Sequence, residues 1–419
     1  MLVLSIRAVA AVLVLFGCVL LSVESTAEMD ETAVPRVRGI ETVVAVERQG
    51  YFPVLVRLKD GSLGAVMRGG APHIGIKGRL DWIRSEDRGR TWSKPTVIVD
   101  SKWDDRNPAL GQMADGTVVV GYAEASTYNE QGKWDTSAGS YDLFYVTSRD
   151  GGKTWSERKQ LYCGPIMNGS AFGRIIHDRH GTALMAIYGR RNPSYQGPEK
   201  LDGNGRDYAG IIRSKDNGRT WVDFSLILSR HNEAALQLLA DGRLMAVVRT
   251  QNGALSVTES RDDGYRWSPP RKLTRRGQHP ADICLLKSGT LLVTYGNRLR
   301  PYGVGCVLSR DQGETWDYKH RLMLAWDSQN TDCGYPSTIQ LDDEAILTMY
   351  YSVGTGSLPG VAQAVCLRYT EKNLALVNER SSNAGLDTKE SDLPRDNAGV
   401  SPPSVLLHNG MNRFHQIFH

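Results

Sequence analysis

A dense polar cluster, Asp104-Asp105-Arg106-Asn107-Pro108, stands directly before one of the apolar, strand-like runs of this sequence. A carboxyl group such as that of Asp105 can donate a proton or bind a polar ligand, and a guanidinium such as that of Arg106 can bind an anion. In the alternative interpretation, the two side chains pair and brace the loop. Further polar candidates in strand-like segments are Arg68, His177, His279 and Asp282.

An eight-residue pattern with Ser, Asp, Gly, Thr and Trp at its first, third, fifth, seventh and eighth positions determines the elements around these residues. The Asp can accept hydrogen bonds from nearby backbone amides, Gly can adopt the positive φ of a tight turn, and Trp offers an apolar plate for packing. We therefore predict a hairpin at each copy. Arg266 replaces Thr in the fourth copy, which puts one hydrogen bond of the loop in doubt but not the hairpin. The five copies are Ser85–Trp92, Ser148–Trp155, Ser214–Trp221, Ser260–Trp267 and Ser309–Trp316.

The spacing of the copies predicts the architecture. They start 63, 66, 46 and 49 residues apart, which leaves room for about four short strands in each interval. After the fifth copy come three strand-like runs, 337–341, 345–351 and 362–369, without a further copy. The β-branched run 37–46 is the expected fourth strand of that last group, because it closes the ring and removes exposed strand edges. The sequence thus predicts an all-β fold, a six-bladed β-propeller.

The first residues predict export. Arg7 precedes the apolar run 8–23, and small residues follow up to Ala27, a pattern typical of a secretory signal peptide. The alternatives are a retained anchor helix and a lipoprotein anchored through Cys18. The expected location is periplasmic or extracellular, with no membrane span once the signal is removed. We predict a signal peptide over residues 1–27, a linker over 28–36, the propeller over 37–370 and a polar, disordered tail over 371–419.

Composition narrows the range of partners. The net charge is +4 and no basic run is longer than Arg275-Arg276, so nucleic acid is not an expected partner. The five cysteines that follow the leader are scattered without a C-x-x-C pair, so neither a metal site nor a cofactor is indicated. They form one or two disulfides or serve as small core residues.

The repeated pattern matches the Asp box, and five boxes at this spacing resemble the sialidase (neuraminidase) superfamily over residues 37–370. In that superfamily the boxes are structural and lie away from the active site. Sialidases use a tyrosine nucleophile partnered by a glutamate, because the anomeric carbon of sialic acid bears a carboxylate that would repel an anionic nucleophile. The resemblance implies a retaining glycoside hydrolase that acts on a glycan or glycoconjugate as a monomer without a cofactor.

Residue by residue, the resemblance implies two catalytic positions. The segment Asp332–Ser337 looks like the one that delivers the tyrosine of the superfamily, which makes Tyr335 the nucleophile. Asn232-Glu233 looks like the one that delivers its glutamate. The aspartate that serves as acid in the superfamily falls at or beside His73, so the resemblance leaves His73 or Asp105 to protonate the leaving oxygen.

Three arginines of the superfamily clamp the substrate carboxylate through charge-assisted hydrogen bonds. Arg249 is similar to the second, and Arg298 or Arg300 is placed like the third. The first is missing, because the Arg-Ile/Leu-Pro signature reads Tyr51-Phe52-Pro53 here. Further candidates for binding the substrate are Arg106, as a replacement clamp, and Arg68.

Three functions follow from this pattern. The first is an exo-α-sialidase-type hydrolase that removes a terminal acidic sugar. The second is a lyase, or a glycosidase for another acidic or deoxy sugar, which the missing arginine and the exchanged acid favour. The third is a carbohydrate-binding propeller without catalysis, which has no obvious need for Tyr335 and Glu233 together.

Overall fold

The computed structural model describes residues 34–197, 201, 207–354 and 360–375. The predicted signal peptide, most of the predicted linker and the predicted tail beyond residue 375 lie outside the described residues. Within these ranges the protein is all-β, with 24 strands, one 3-10 helix (Tyr318–His320) and one helical turn at residues 371–375. No helix in the described part is long and apolar enough to cross a membrane.

The strands follow one another in six groups along the chain. The N-terminal strand is β1 (Glu41–Val46). The first group is β2 (Tyr51–Arg57), β3 (Leu63–Gly69), β4 (Arg79–Ser85) and β5 (Thr96–Val99). The second is β6 (Asp104–Gln112), β7 (Val118–Ala125), β8 (Tyr141–Ser148) and β9 (Lys159–Gln160). The third is β10 (Ile166–His177), β11 (Ala183–Arg191), β12 (Tyr208–Ser214) and β13 (Val222–Ser229).

The remaining strands repeat this order. The fourth group is β14 (His231–Leu238), β15 (Leu244–Thr250), β16 (Leu255–Ser260) and β17 (Arg271–Lys272). The fifth is β18 (Gln278–Leu285), β19 (Leu291–Asn297), β20 (Gly303–Ser309) and β21 (Leu322–Ala325). The last is β22 (Gly334–Gln340), β23 (Ile346–Val353) and β24 (Ala362–Tyr369).

The strands build four four-stranded sheets and one eight-stranded sheet in a propeller-like arrangement. The eight-stranded sheet consists of the second and third groups, joined by a short parallel pairing of β6 with β10. The first strand of each group contacts the first strand of the next, and β22 contacts β2, so the six inner strands surround a common axis. β1 pairs antiparallel with β24, which confirms that the N-terminal run completes the last sheet, although the strand begins at Glu41.

The five repeats form hairpin turns held by shared hydrogen bonds from the Ser hydroxyl and from backbone amides, and four of them add a bond from the Thr hydroxyl. In the first, Asp87 accepts hydrogen bonds from the amide and the hydroxyl of Thr91, at 2.8 and 2.6 Å, and Gly89 donates its amide to Ser85 Oγ at 2.8 Å. In the fourth, Asp262 still accepts the amide of Arg266 at 2.8 Å. Each turn follows the third strand of its group and therefore lies at the end of the sheet opposite to the start of the inner strand.

Apolar side chains fill the spaces between neighbouring groups. Trp92 packs on the cluster shared by the first and last groups, and Trp155 packs on the cluster shared by the first and second. Leu374 is buried against the fifth and last groups, and residues 371–375 are helical, so ordered structure extends past the boundary predicted at residue 370. The five described cysteines are buried free thiols, which agrees with the core alternative.

A bulge near the start of each inner strand shapes the end of the axis that faces away from the repeats. Bulges re-aim side chains and are frequent beside active sites. The register shifts between Tyr51 and Val54, Arg106 and Ala109, Met167 and Ser170, His231 and Ala234, Gln278 and Ala281, and Gly334 and Ser337.

Candidate active site

A chain of hydrogen bonds joins three of the predicted residues at this end of the axis. Tyr335 Oη donates to Glu233 Oε1 at 2.6 Å, and Arg249 Nη1 donates to Glu233 Oε2 at 2.8 Å. Tyr335 is 8% exposed and Glu233 is 3% exposed. The fold thus brings together residues that are 102 positions apart in the sequence.

The backbone at the start of β22 explains why the Tyr335 side chain points toward the axis. Tyr335 has a φ of 51°, a left-handed conformation that an aromatic residue rarely adopts and that clusters at functional sites. Gly334, at φ 102°, passes so close to Gly296 that an added Cβ would lie 2.5 Å from its Cα. A glycine before Tyr335 is therefore required by both conformation and space.

The environment keeps the Tyr335 phenol protonated. Burial raises its pKa and the nearby Glu233 carboxylate raises it further, against the opposing charges of Arg249 and Arg298. A phenol with a raised pKa needs a base to become a nucleophile. Glu233 is positioned for that task because it already accepts the phenol hydrogen bond.

Of the two arginines proposed for the third clamp position, Arg298 lies at the site. Its guanidinium carbon is 5.8 Å from the centroid of the Tyr335 ring, and its Nε and Nη2 are buried without a hydrogen-bond partner among the described groups. Arg300 is exposed and lies over Tyr302, 5.5 Å from that ring centroid. Of the two candidates, Arg298 is thus the one that lies beside Tyr335.

Arg106 and Arg68 meet on Asp104. Arg68 Nε donates to Asp104 Oδ1 at 2.8 Å, and Arg106 Nη1 donates to Asp104 Oδ2 at 3.0 Å. Arg68 also donates to the carbonyls of the loop that carries His73, so it braces that loop. The Arg106 guanidinium lies 5.5 Å from the Phe52 ring centroid and its Nε is buried without a partner in the described part.

His73 lies among aromatic rings next to Tyr335. Its ring centroid is 4.9 Å from that of Phe52, which in turn is 4.6 Å from that of Tyr335. Its Nδ1 is 2.5 Å from Asp332 Oδ1. Phe52 thus lies between the imidazole and the phenol, and the ring of Tyr51, the first residue of Tyr51-Phe52-Pro53, is 5.7 Å from that of His73.

Asp105 lies away from this group, which corrects its proposal as the acid. Neighbouring side chains of a strand point to opposite faces, and Asp104 and Arg106 occupy the side of the site. Asp105 points the other way and accepts hydrogen bonds from the amide and hydroxyl of Ser101, at 2.7 and 3.0 Å. The pairing of Asp105 with Arg106 that we considered is also wrong, because Arg106 pairs with Asp104.

Asp105→Asn is expected to stabilise the protein in alkaline solution. Burial, with the nearby charges of Glu124 and Asp104, raises the pKa of Asp105 to about 7. Since the folded state binds this proton more tightly than the unfolded state, the free energy of unfolding falls as the pH rises from about 4 to about 7. Chemical denaturation should show the stability of the variant relative to the wild type rising by on the order of 2 kcal/mol between pH 5 and pH 8. A stability difference that does not change with pH would contradict the account.

The other polar candidates have structural surroundings. Asp282 receives Arg174 on both oxygens, at 3.1 and 3.2 Å, and the amide of Thr338 at 2.6 Å, and so ties three inner strands together. His279 is buried beside Arg249 and Arg298, and burial followed by these two charges holds its pKa well below the ordinary value. His177, at the far end of β10, also has a pKa lowered by burial.

Sequence reasoning missed several members of the site. Tyr188 accepts a hydrogen bond from Asn107 Nδ2 at 2.9 Å and packs against the hydrophobic cluster that contains Phe52 and Tyr335. Tyr351 donates to Asp332 at 2.6 Å. The sequence offered one signal for the residues at the bulges, although not for Tyr188 or Tyr351. In four of the six inner strands, a proline follows the residue that the bulge presents. These dipeptides are Phe52-Pro53, Asn107-Pro108, His279-Pro280 and Tyr335-Pro336.

Within the described ranges, no group of three or more His, Cys, Asp or Glu side chains is placed to hold a metal ion. The site that the described residues form is thus one of hydrogen-bonded acids, phenols and guanidinium groups. Such a set can transfer protons, supply a phenolic nucleophile and bind a carboxylate.

The chain is similar in sequence to known proteins. The sequence profile of the BNR repeat-like domain family matches residues 65–349. A sialidase of Bacteroides fragilis (strain YCH46) is 23% identical over 317 residues, which cover 64% of this chain and 53% of that protein. A sialidase of Paraclostridium sordellii is 25% identical over 372 residues, which cover 80% of this chain and 82% of that protein. The chain thus spans about half the length of the Bacteroides relative.

Solved structures have a similar fold. A protein of unknown function from Dyadobacter fermentans DSM 18053 matches with a TM-score of 0.65 at 22% identity, over 79% of this chain and 99% of that one. The Hadza microbial sialidase Hz136 matches with a TM-score of 0.59 at 22% identity, over 77% of this chain and 66% of that one. At these identities the likeness shows the propeller-like fold alone.

Proposed function

The chain belongs to the BNR repeat-like domain family of the sialidase superfamily, and on that premise we propose that it is an exported, retaining glycoside hydrolase. We interpret the six groups of strands as six blades and the five hairpin turns as Asp boxes. The substrate is a terminal acidic sugar, in the manner of an exo-α-sialidase. The observation that carries the proposal is the hydrogen bond of 2.6 Å between Tyr335 and Glu233 at the axis.

In the first step, Tyr335 Oη attacks the anomeric carbon while its proton passes to Glu233. The glycosidic bond breaks, and the leaving oxygen keeps the bonding electrons and takes a proton from His73. In the second step, water attacks the same carbon and gives a proton to His73. The bond to Tyr335 breaks, and the phenol regains its proton from Glu233. Two displacements on one carbon preserve its configuration.

The charges of the site support a substrate with one carboxylate. Arg249 forms an ion pair with Glu233, and Arg106 and Arg68 both form ion pairs with Asp104. Arg298 has two buried nitrogens without partners in the described part of the chain, and Arg249 and Arg106 have one each. A carboxylate bound there would receive charge-assisted hydrogen bonds from Arg298 and Arg249. A neutral phenol is then the suitable nucleophile, because it does not repel the bound anion.

The rings of Tyr51 and Phe52 support a second candidate substrate. Tyr51 stands where the superfamily has its first clamp arginine, and the neighbouring Phe52 places an apolar ring 4.9 Å from His73. Such a wall fits an apolar face or a deoxy carbon better than a charge. A glycosidase for another acidic or deoxy sugar is therefore the alternative function.

A panel of aryl glycosides distinguishes these functions. Purified protein is assayed with α-sialosides, uronides and deoxy sugars, and the configuration of the first product is followed by NMR. Hydrolysis of the sialoside with retention supports the leading proposal. Hydrolysis of another sugar only, with retention, keeps the mechanism and changes the substrate. An unsaturated uronate absorbance would identify a lyase, and glycan binding without turnover would identify a binding protein.

The loss of kcat in His73→Ala is expected to depend on the leaving group, because an acid is needed only when the departing oxygen is basic. With a leaving group of pKa about 10 or above, kcat should fall by about 10²-fold, and with one near pKa 7 by less than about fivefold. Rates of a series of substituted phenyl glycosides measure this dependence. Equal losses across the series would show that His73 is not the acid.

A further inference from the structure

A carboxylate outside the set of proposed catalytic residues contacts the proposed acid. Asp332 precedes β22, and its Oδ1 is 2.5 Å from His73 Nδ1 and 2.6 Å from Tyr351 Oη. The side chains of His73 and Asp332 are 20% and 31% exposed, so the pair lies where solvent and substrate reach it. A carboxylate bonded to one nitrogen of an imidazole fixes the tautomer and orients the ring.

Both sides of this contact are held in place. The His73 loop is tied down by the fully buried Arg68, which donates to the carbonyls of Pro72 and Gly75 at 2.6 and 2.9 Å. On the other side of the contact, the backbone amide of Asp332 donates a hydrogen bond to Asn330 Oδ1 at 2.8 Å, which holds the segment that carries Asp332. The distance between the two groups is therefore set by backbone segments from two different blades.

We propose that Asp332 is a positioning residue for His73: it holds the hydrogen on Nδ1 and thereby makes Nε2 the atom that exchanges a proton with the glycosidic oxygen. This inference rests on the proposed hydrolase function. In the first step, the proton leaves Nε2 for the departing oxygen, which carries away the electrons of the broken bond. The water of the second step returns a proton to Nε2, so the pair is regenerated.

The groups around His73 explain why a carboxylate is needed. The titratable and charged side chains that face it are Asp332, Tyr51, Tyr351, Arg106 and Arg298. Burial lowers the pKa of His73, and the two arginines lower it further, whereas Asp332 raises it. Without Asp332, the imidazole would lose a neighbouring carboxylate that favours its protonated form.

Asp332 is itself kept ionised. Burial alone would raise the pKa of its carboxyl group, but the hydrogen bond and charge of His73, with Tyr351 and Arg298, hold it below the ordinary value. An ionised Asp332 at neutral pH is the form that can stabilise an imidazolium. The two side chains therefore form one proton-donating unit.

Asp332→Asn tests the unit through the titration of His73 itself, a readout that does not require activity. We expect the NMR resonance of His73, assigned by its loss in His73→Ala, to titrate at least one pH unit lower in the variant. The alkaline limb of the pH profile of kcat/KM should move down by the same amount, which gives about a tenfold loss at neutral pH.

Tyr351→Phe provides a second variant, should Asp332→Asn fail to fold. It removes the competing hydrogen bond to Asp332 and is expected to raise the pKa of His73. The matched control is Asp327→Asn, since Asp327 accepts the hydroxyl of Tyr350 at 2.8 Å in the same segment but has no role in the proposed reaction. The control should leave the titration of His73 unchanged.

Each outcome decides the inference separately from the function. Opposite shifts in the two variants, with an unchanged control, support the positioning role. An unchanged His73 titration in Asp332→Asn overturns it, even if Tyr335-dependent hydrolysis is observed. Absence of hydrolysis in the wild-type protein, together with the expected NMR shifts, would remove the proposed function and with it the catalytic meaning of the pair.

Discussion

Replacing Tyr335 with phenylalanine is expected to lower kcat/KM by at least about 10⁴-fold, because the variant has no atom that can bond to the anomeric carbon. The ring remains, so its contacts with Phe52 and the backbone bulge are preserved. The loss should therefore appear in kcat, whereas binding of a product analogue changes little. Steady-state rates with the best glycoside of the panel provide the measurement.

Tyr350→Phe is the matched control for this variant. Tyr350 is also a buried tyrosine with one side-chain hydrogen bond, to Asp327 at 2.8 Å, but it belongs to the cluster between the fifth and last groups of strands. The control should lose stability without losing its rate constant. A Tyr335→Phe variant with wild-type kcat would contradict the proposed mechanism, whatever the behaviour of the control.

Arg298→Gln is expected to have the second largest effect, a fall in kcat/KM of roughly 10³-fold on a substrate with a carboxylate. Two charge-assisted hydrogen bonds at about 2 kcal/mol each account for this magnitude. The nitrogens that would make them are the buried Nε and Nη2, which have no partner among the described groups. The fall should be much smaller on a substrate whose carboxylate has been converted to an amide.

Arg300→Gln is the control. It removes the same charge from a side chain that is exposed and lies two positions after Arg298 in the sequence. Long-range electrostatic effects would lower the rate of both variants to a similar extent and would vanish at high salt. Direct binding of the carboxylate affects Arg298→Gln alone. Similar losses in both variants would rule out Arg298 as a ligand of the substrate.

The part of the fold that depends on local chemistry could be predicted from the sequence. In each repeat, the Asp binds groups that lie within four residues of it, so the hairpin is encoded within eight residues. The completion of the last sheet by the run 37–46 was also predictable, because three strands after the fifth repeat lacked a partner.

The site could be predicted only in part, because its contacts join distant segments. Tyr335 and Glu233 were identified through the resemblance of their flanking residues, but no local pattern distinguishes Arg298 from Arg300 at the end of β19. Likewise, Asp332 and His73 are 259 positions apart and share no motif. Only the relative positions of the sheets bring such residues together.

The error over Asp105 has a simpler physical cause. Asp104, Asp105 and Arg106 were taken as one polar loop, whereas β6 already begins at Asp104. Within a strand, alternation places Asp105 on the face opposite to its two neighbours. The bulge after Arg106 then brings Asn107 toward the axis, at a φ of 50°.

Trapping of the covalent intermediate tests the central claim most directly. The protein is incubated with 2,3-difluorosialic acid, digested and analysed by mass spectrometry, with Tyr335→Phe treated in parallel. The account predicts one added fluorosialosyl group on the peptide that contains Tyr335 and none in the variant. Attachment to another residue, or turnover of a sialoside with inverted configuration, would contradict it.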